Sequence, residues 1–166
     1  MEPTYSSLID IARDRERYII PDWQRTEVWN LSRKQLLLDS ILRGIKLPKL
    51  YFARIGQSEN FDVVDGQQRL SVIRDFMLDQ IPLADITTED FKLTGAYCRD
   101  LTPEVQGIFH QFILEIDQIH DSTPQELREF FLRLQEGKPL VAQEKLNAVH
   151  SNLRDFTLEL TQHEFF

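Results

Sequence analysis

Asp65-Gly66-Gln67-Gln68-Arg69 gathers a carboxylate, a glycine, two amides and a guanidinium into five consecutive residues. The run closes an apolar stretch (Phe61, Val63, Val64) and opens an amphipathic one (Leu70, Ile73, Phe76, Met77), which predicts a strand-to-helix junction. Free backbone N–H groups at a helix start attract anions, and Gly66 lets the backbone approach a ligand closely. Arg69, read as an exposed side chain, offers a planar fork of donors suited to phosphate. A phosphorylated ligand is the expectation. A glycine turn with a capping Asp and two solvated glutamines accounts for the same five residues without any ligand.

Three other segments have the chemistry to join this one. Ile20-Pro21-Asp22-Trp23-Gln24-Arg25 supplies a second guanidinium, with Val28 and Trp29 just beyond. A cation beside an aromatic face makes a platform for a base or a phosphate, and equally a structural stack of Arg25 on Trp23 or Trp29. Lys34, Asp39 and Arg43 share a predicted helix, where the i, i+4 spacing of Asp39 and Arg43 favours a surface salt bridge. Arg133, Gln135 and Lys138 surround the glycine turn at Gly137, which alone reads as a loop.

The elements that must position these residues follow from periodicity and punctuation. Leu8, Ile9, Ile11 and Ala12 suggest a short N-terminal helix, and Tyr18-Ile19-Ile20 a short strand halted by Pro21. Ser32 is the expected N-cap of a helix through Leu36, Leu37, Ser40 and Ile41 that ends at Gly44. Lys49 to Ile55 and Phe61 to Val64 read as two strands of a hairpin, followed by a helix from Leu70 to Leu78. The first half is thus ordered β, α, β, β, α. Beyond Pro82, Thr102-Pro103 and Thr123-Pro124 each start a helix, and the alternation of Phe112, Leu114 and Ile116 predicts a strand returning to the sheet between them. Leu127, Phe130, Phe131 and Leu134 form a helical stripe read as core, and Leu146, Val149, Leu153, Phe156 and Leu160 a last amphipathic helix. The apolar Phe165-Phe166 end suggests that this helix packs on a further domain or subunit.

Composition narrows the function classes. A chain of 166 residues with 42% hydrophobic content and 11 Phe can bury one substantial core. A net charge of −8 opposes non-specific binding to DNA or anionic membranes, although a local basic patch is compatible with it. Cys98 is the only cysteine, which excludes a disulfide framework and a cysteine-based zinc site. His110, His120, His150 and His163 are scattered singly, so the residues predict no metal-dependent nuclease centre in this chain. With neither a signal-peptide pattern nor a membrane-length apolar run, a soluble cytoplasmic protein is expected.

Taken in order, four motifs resemble the DUF262 family: Ile20-Pro21-x-x-Gln24-Arg25-x-x-Val28-Trp29, then Asp39-Ser40-Ile41-Leu42-Arg43-Gly44-Ile45-x-Leu47-Pro48, then Asp65-Gly66-Gln67-Gln68-Arg69-Leu70, then Phe131-x-Arg133-Leu134-x-x-Gly137-x-Pro139-Leu140. The resemblance runs from Tyr18 to His150. Members include the N-terminal domains of GmrSD-type modification-dependent restriction systems and of phosphorothioate-sensing SspE-type defence proteins, and the family is similar in fold to the ParB and sulfiredoxin superfamily. The resemblance implies an α+β fold, with a ParB/sulfiredoxin-like small mixed sheet and flanking helices. Residues 1–80 would form the nucleotide-binding core and 81–166 a mostly helical C-terminal portion packed on it, in one continuous domain.

It also implies binding, and often hydrolysis, of a nucleoside triphosphate that regulates DNA cleavage in a prokaryotic restriction or anti-phage defence system. Asp65, Gln67, Gln68 and Arg69 would carry the hydrolysis, Asp65 would hold Mg2+, and Gln24, Arg25, Trp29, Gly66 and Arg133 would bind the nucleotide. Gln135 departs from the family pattern, which carries Asn there. The implied partner is an HNH-type nuclease in another domain or subunit, with DNA met indirectly or through a local patch, and oligomers are compatible with this. Three readings stay open: a nucleoside triphosphatase, a nucleotide-binding switch, and a non-enzymatic ParB-like DNA-binding adaptor or protein-interaction module.

Overall fold

The computed structural model describes residues 2–8, 10, 17–19, 29–54, 60–120 and 122–135. The chain divides into two compact units, Met1–Arg128 and Glu129–Phe166. In the first, a five-stranded mixed sheet is built from β1 (Glu2–Ser7), β2 (Tyr18–Ile19), β3 (Leu50–Arg54), β4 (Phe61–Asp65) and β5 (Ile113–Ile119). Their spatial order is β1-β5-β3-β4-β2. The pairs β1–β5 and β3–β4 are antiparallel, whereas β5–β3 and β4–β2 are parallel. The helices are α1 (Leu31–Leu42), α2 (Gln67–Met77), α3 (Asp85–Asp90), α4 (Pro103–Gln111) and α5 (Pro124–Gln135), which begins in the first unit and ends in the second.

Local chemistry explains most of these boundaries. The Asn30 side chain accepts from the Arg33 N–H at 3.0 Å and starts α1, so the cap is Asn30 and the expected Ser32 lies inside the first turn. Gly44, at φ +68°, ends that helix in the left-handed region a glycine tolerates. Thr102 caps α4 with Pro103 in its first turn, as expected. Thr123 and Glu126 form a reciprocal box at the start of α5, the Glu126 carboxylate accepting from the Thr123 N–H at 2.7 Å and the Thr123 hydroxyl accepting from the Glu126 N–H at 3.3 Å.

The hairpin of β3 and β4 and the returning strand β5 form where the sequence places them. The strand β1 was not expected. Its sequence, Glu2-Pro-Thr-Tyr-Ser-Ser7, lacks apolar alternation, and it is a strand because it covers the outer edge of β5 in register from Glu2 opposite Gln118 to Ser7 opposite Ile113. The core gathers Leu37, Leu38, Ile41 and Leu42 of α1, Phe52 of β3, Leu70, Ile73 and Phe76 of α2, Phe109 of α4, and Leu114 and Ile116 of β5. Phe76 meets Phe109 edge to face at 5.2 Å between centroids. Each such side chain contributes about 1.5–3 kcal/mol by leaving water, so this core fixes the start of α2 against β3.

Several expectations lie outside the described residues: Ile9, Ile11 and Ala12 of the first helix, Ile20, Gln24 and Arg25, the turn at Gly137, and the helix from Leu146 to Leu160 with the Phe165-Phe166 end. Of the α5 stripe, Leu127, Phe130 and Phe131 are buried.

Candidate functional site

The Asp65 to Arg69 run sits where the sequence predicts, at the end of β4 and the start of α2. The register of the hairpin slips there: Tyr51 pairs with Asp65 and Phe52 with Val63, leaving Val64 as an extra residue. Such a bulge bends the strand and re-aims the side chains beside it. Gly66 follows at φ +101°, a conformation that disfavours any residue with a Cβ. It is also buried, and a Cβ built on it would lie 2.0 Å from Leu50 Cδ2. Two separate demands, backbone angle and space, therefore require glycine at this position.

No side chain caps the start of α2. In this it differs from α1, capped by Asn30, and from α4, capped by Thr102. Gln67 Oε1 is buried there without a hydrogen-bond partner. Gln68 Oε1 accepts from the Trp29 N–H at 3.4 Å, so this half-buried tryptophan is joined to the motif. The guanidinium of Arg33 lies 4.4 Å from the Trp29 ring centroid and forms a cation-aromatic pair with it, while Arg25 and Trp23 lie outside the described residues.

Arg69 differs most from expectation. It is buried at 8% exposure, not exposed, and its guanidinium donates to the Pro48 carbonyl, to the Lys49 carbonyl at 2.9 Å and to Asp65 Oδ2 at 2.7 Å. Burial pushes its pKa below the usual guanidinium value, and the Asp65 carboxylate opposes that shift. The carbonyl partners belong to the residues just before β3, some twenty positions earlier, and only the folded hairpin brings them here.

An ion-pair network continues from this point along the sheet. Lys49 Nζ lies 2.9 Å from Glu115 and 3.3 Å from Asp117, and Lys46 Nζ lies 2.9 Å from Glu115. The Glu115 and Asp117 carboxylates raise the lysine's pKa, and Lys46 with Lys49 holds Glu115 below the usual carboxylate range. Tyr51, opposite Asp117 on one side and Asp65 on the other, is pushed up by burial and by the Asp117 charge. Sequence reasoning missed this network because its lysines lie on the approach to β3 and its carboxylates on β5, more than sixty residues apart. The Trp29 and Arg33 pair carried a readable signal in its i, i+4 spacing.

The structure brings Trp29, Asp65, Gly66, Gln67, Gln68 and Arg69 together. Arg133 is exposed in the last turn of α5, in the second unit. Arg43 is held by Asp39 at 2.8 Å and Asp90 at 2.6 Å, the surface salt bridge its spacing predicts. Among the described residues no group of three or more His, Cys, Asp or Glu could hold a metal ion, and no helix is long and apolar enough to cross a membrane.

Among solved structures, the chain is similar to the C-terminally truncated chromosome-partitioning protein ParB from Caulobacter crescentus, crystallised with CTP-gamma-S. The identity is 8% and the TM-score 0.46, over 85% of this chain and 56% of that one. The chain therefore spans little more than half of that ParB chain. No curated protein matches it. The profile of the GmrSD restriction endonuclease N-terminal domain matches residues 8–159, nearly the whole sequence, and the chain belongs to that family.

Proposed function

We propose that this domain binds a nucleoside triphosphate at the first turn of α2, hydrolyses it, and so regulates a nuclease supplied by another domain or subunit. The carrying observation is the build of that turn: an uncapped helix start behind a glycine that is left-handed and packed against Leu50. Phosphate oxygens complement the N–H groups and the positive end of such a helix start. The amide of Gln67, with its buried oxygen unpartnered, turns its NH2 toward an anion by rotating about its last side-chain bond. Membership of the restriction endonuclease N-terminal family supports the regulatory half of the reading.

Phosphoryl transfer asks mainly for positioning and charge. Gln67 and Gln68 orient the attacking water. Mg2+ usually binds one or two carboxylates together with substrate phosphates. Asp65, half of whose carboxylate is engaged by Arg69, fits that use, and Mg2+ would neutralise the phosphate charge there. Trp29, tied to Gln68, offers a ring edge for the base. Gln24 and Arg25 join the proposed nucleotide-binding residues on the strength of the family motifs. The nuclease partner is of the HNH type, and DNA is met through it or through a local patch.

The test is a thermal-shift panel of nucleoside triphosphates with and without Mg2+, followed by phosphate release. A ligand at a hundredfold its Kd stabilises the folded state by about 2.7 kcal/mol, so one triphosphate should raise Tm clearly. A flat response to all of them overturns the proposal. Binding without phosphate release reduces the domain to a nucleotide switch.

A further inference from the structure

The guanidinium of Arg69 is the obvious cation to place on a phosphate, yet its donors already point inward. Three acceptors hold it: the Pro48 and Lys49 carbonyls on the approach to β3, and Asp65 at the end of β4. The same stretch continues into Leu50, whose side chain touches Gly66. Gly66 therefore rests on a floor whose position Arg69 fixes, and the Cβ missing from Gly66 would also have met Arg69 Nη2 at 3.3 Å. Lys49 is in turn anchored through its ammonium to Glu115 and Asp117 of β5, so the floor is pinned from both sides.

We propose that Arg69 is a positioning residue: it clamps the Pro48–Leu50 segment beneath the Gly66 turn and sets the shape of the anion site without touching the anion. The inference rests on the triphosphate reading above. Releasing the clamp would let Leu50 and Gly66 separate and would widen the turn whose N–H groups meet the phosphates. Lysine cannot replace arginine here, because three acceptors in different directions need a rigid planar fork, whereas a point charge suffices to attract a phosphate.

The experiment uses the full chain, with Arg69→Lys and Arg69→Gln beside the wild type. Triphosphate affinity is measured across ionic strength, at a temperature where melting curves show each variant folded. The clamp predicts that both variants lose about tenfold or more in affinity while the slope of log affinity against log salt stays that of the wild type. A phosphate contact predicts instead that Arg69→Gln flattens the slope and Arg69→Lys keeps it, since a charge at the ligand sets the salt dependence. Unchanged affinity in both folded variants would leave Arg69 merely structural and overturn the proposal.

A measurement on the wild type covers the case in which neither variant folds. The Arg69 guanidinium protons, followed by NMR, should be protected from exchange in the free protein and unmoved by adding triphosphate. Signals that shift on binding overturn the clamp while leaving the nucleotide reading standing. A wild type that binds no triphosphate overturns both.

Discussion

Asp39–Arg43 at the end of α1 and Asp65–Arg69 at the start of α2 are the same pair on paper: an aspartate, three residues, an arginine, and a hydrogen bond of 2.8 or 2.7 Å between them. Their surroundings differ entirely. Arg43 is exposed and turns its other nitrogen to Asp90 of α3, at 2.6 Å, where water competes for both partners. Arg69 is buried and serves two backbone carbonyls besides its aspartate. An ion pair in water contributes little, whereas removing one member of a buried set strands the others without partners. Spacing in the sequence tells that a pair forms; what else each member holds decides what the pair does.

The largest expected effect follows from that difference. Arg69→Ala leaves the Pro48 and Lys49 carbonyls and the Asp65 carboxylate short of a donor, and should destabilise the domain by on the order of 3 kcal/mol, read from urea midpoints. Arg43→Ala, measured alongside, should move the midpoint slightly, and about 1 M salt should erase that shift because the screening length falls to roughly 3 Å. Equal losses in the two variants would show that burial does not separate the pairs. Gly66→Ala should come close behind, at roughly 2 kcal/mol or a little more, as the left-handed angle and the overlap with Leu50 add. The companion Gly66→Ala, Leu50→Ala double variant removes the overlap alone, and should lose less than the sum of the two single changes.

How much of this was legible in the sequence divides along the same line. Local signals sufficed for the strand-to-helix junction at Asp65 to Arg69, for the β3–β4 hairpin, for the Thr102-Pro103 and Thr123-Pro124 helix starts and for the return of β5, because caps, turns and alternation act within a few residues. The strand β1 was illegible, since a polar segment becomes a strand only when β5 offers it an edge. Arg69 was misread for a related reason. Its motif is written in adjacent letters, but its partners are carbonyls, which every residue carries, and only the fold selects Pro48 and Lys49 from them. The four ordered motifs did identify the family, because their order is specific where each alone is not.

The smallest effect expected concerns acid, and it separates the two pairs by titration. Asp39 is held below the usual carboxylate value chiefly by its hydrogen bond to Arg43, with the Thr87 hydroxyl donating to its other oxygen at 2.7 Å and burial opposing both. A carboxylate whose pKa is lower in the folded than in the unfolded state binds protons more readily when unfolded, so its contribution is fully present above the unfolded value, about pH 4. That contribution fades as pH falls through the folded value. Asp39→Asn keeps the size and can still accept from Thr87, but cannot ionise. The stability gap between wild type and Asp39→Asn should therefore be constant from neutrality to about pH 4 and close below it, in urea midpoints taken along a pH series. Arg69→Ala should behave differently, because the Pro48 and Lys49 carbonyls do not titrate, and most of its gap should persist in acid. A gap for Asp39→Asn that survives to about pH 2 would mean that neutral hydrogen bonds, not charge, hold the end of α1, and the contrast between the two pairs would then lie in burial alone.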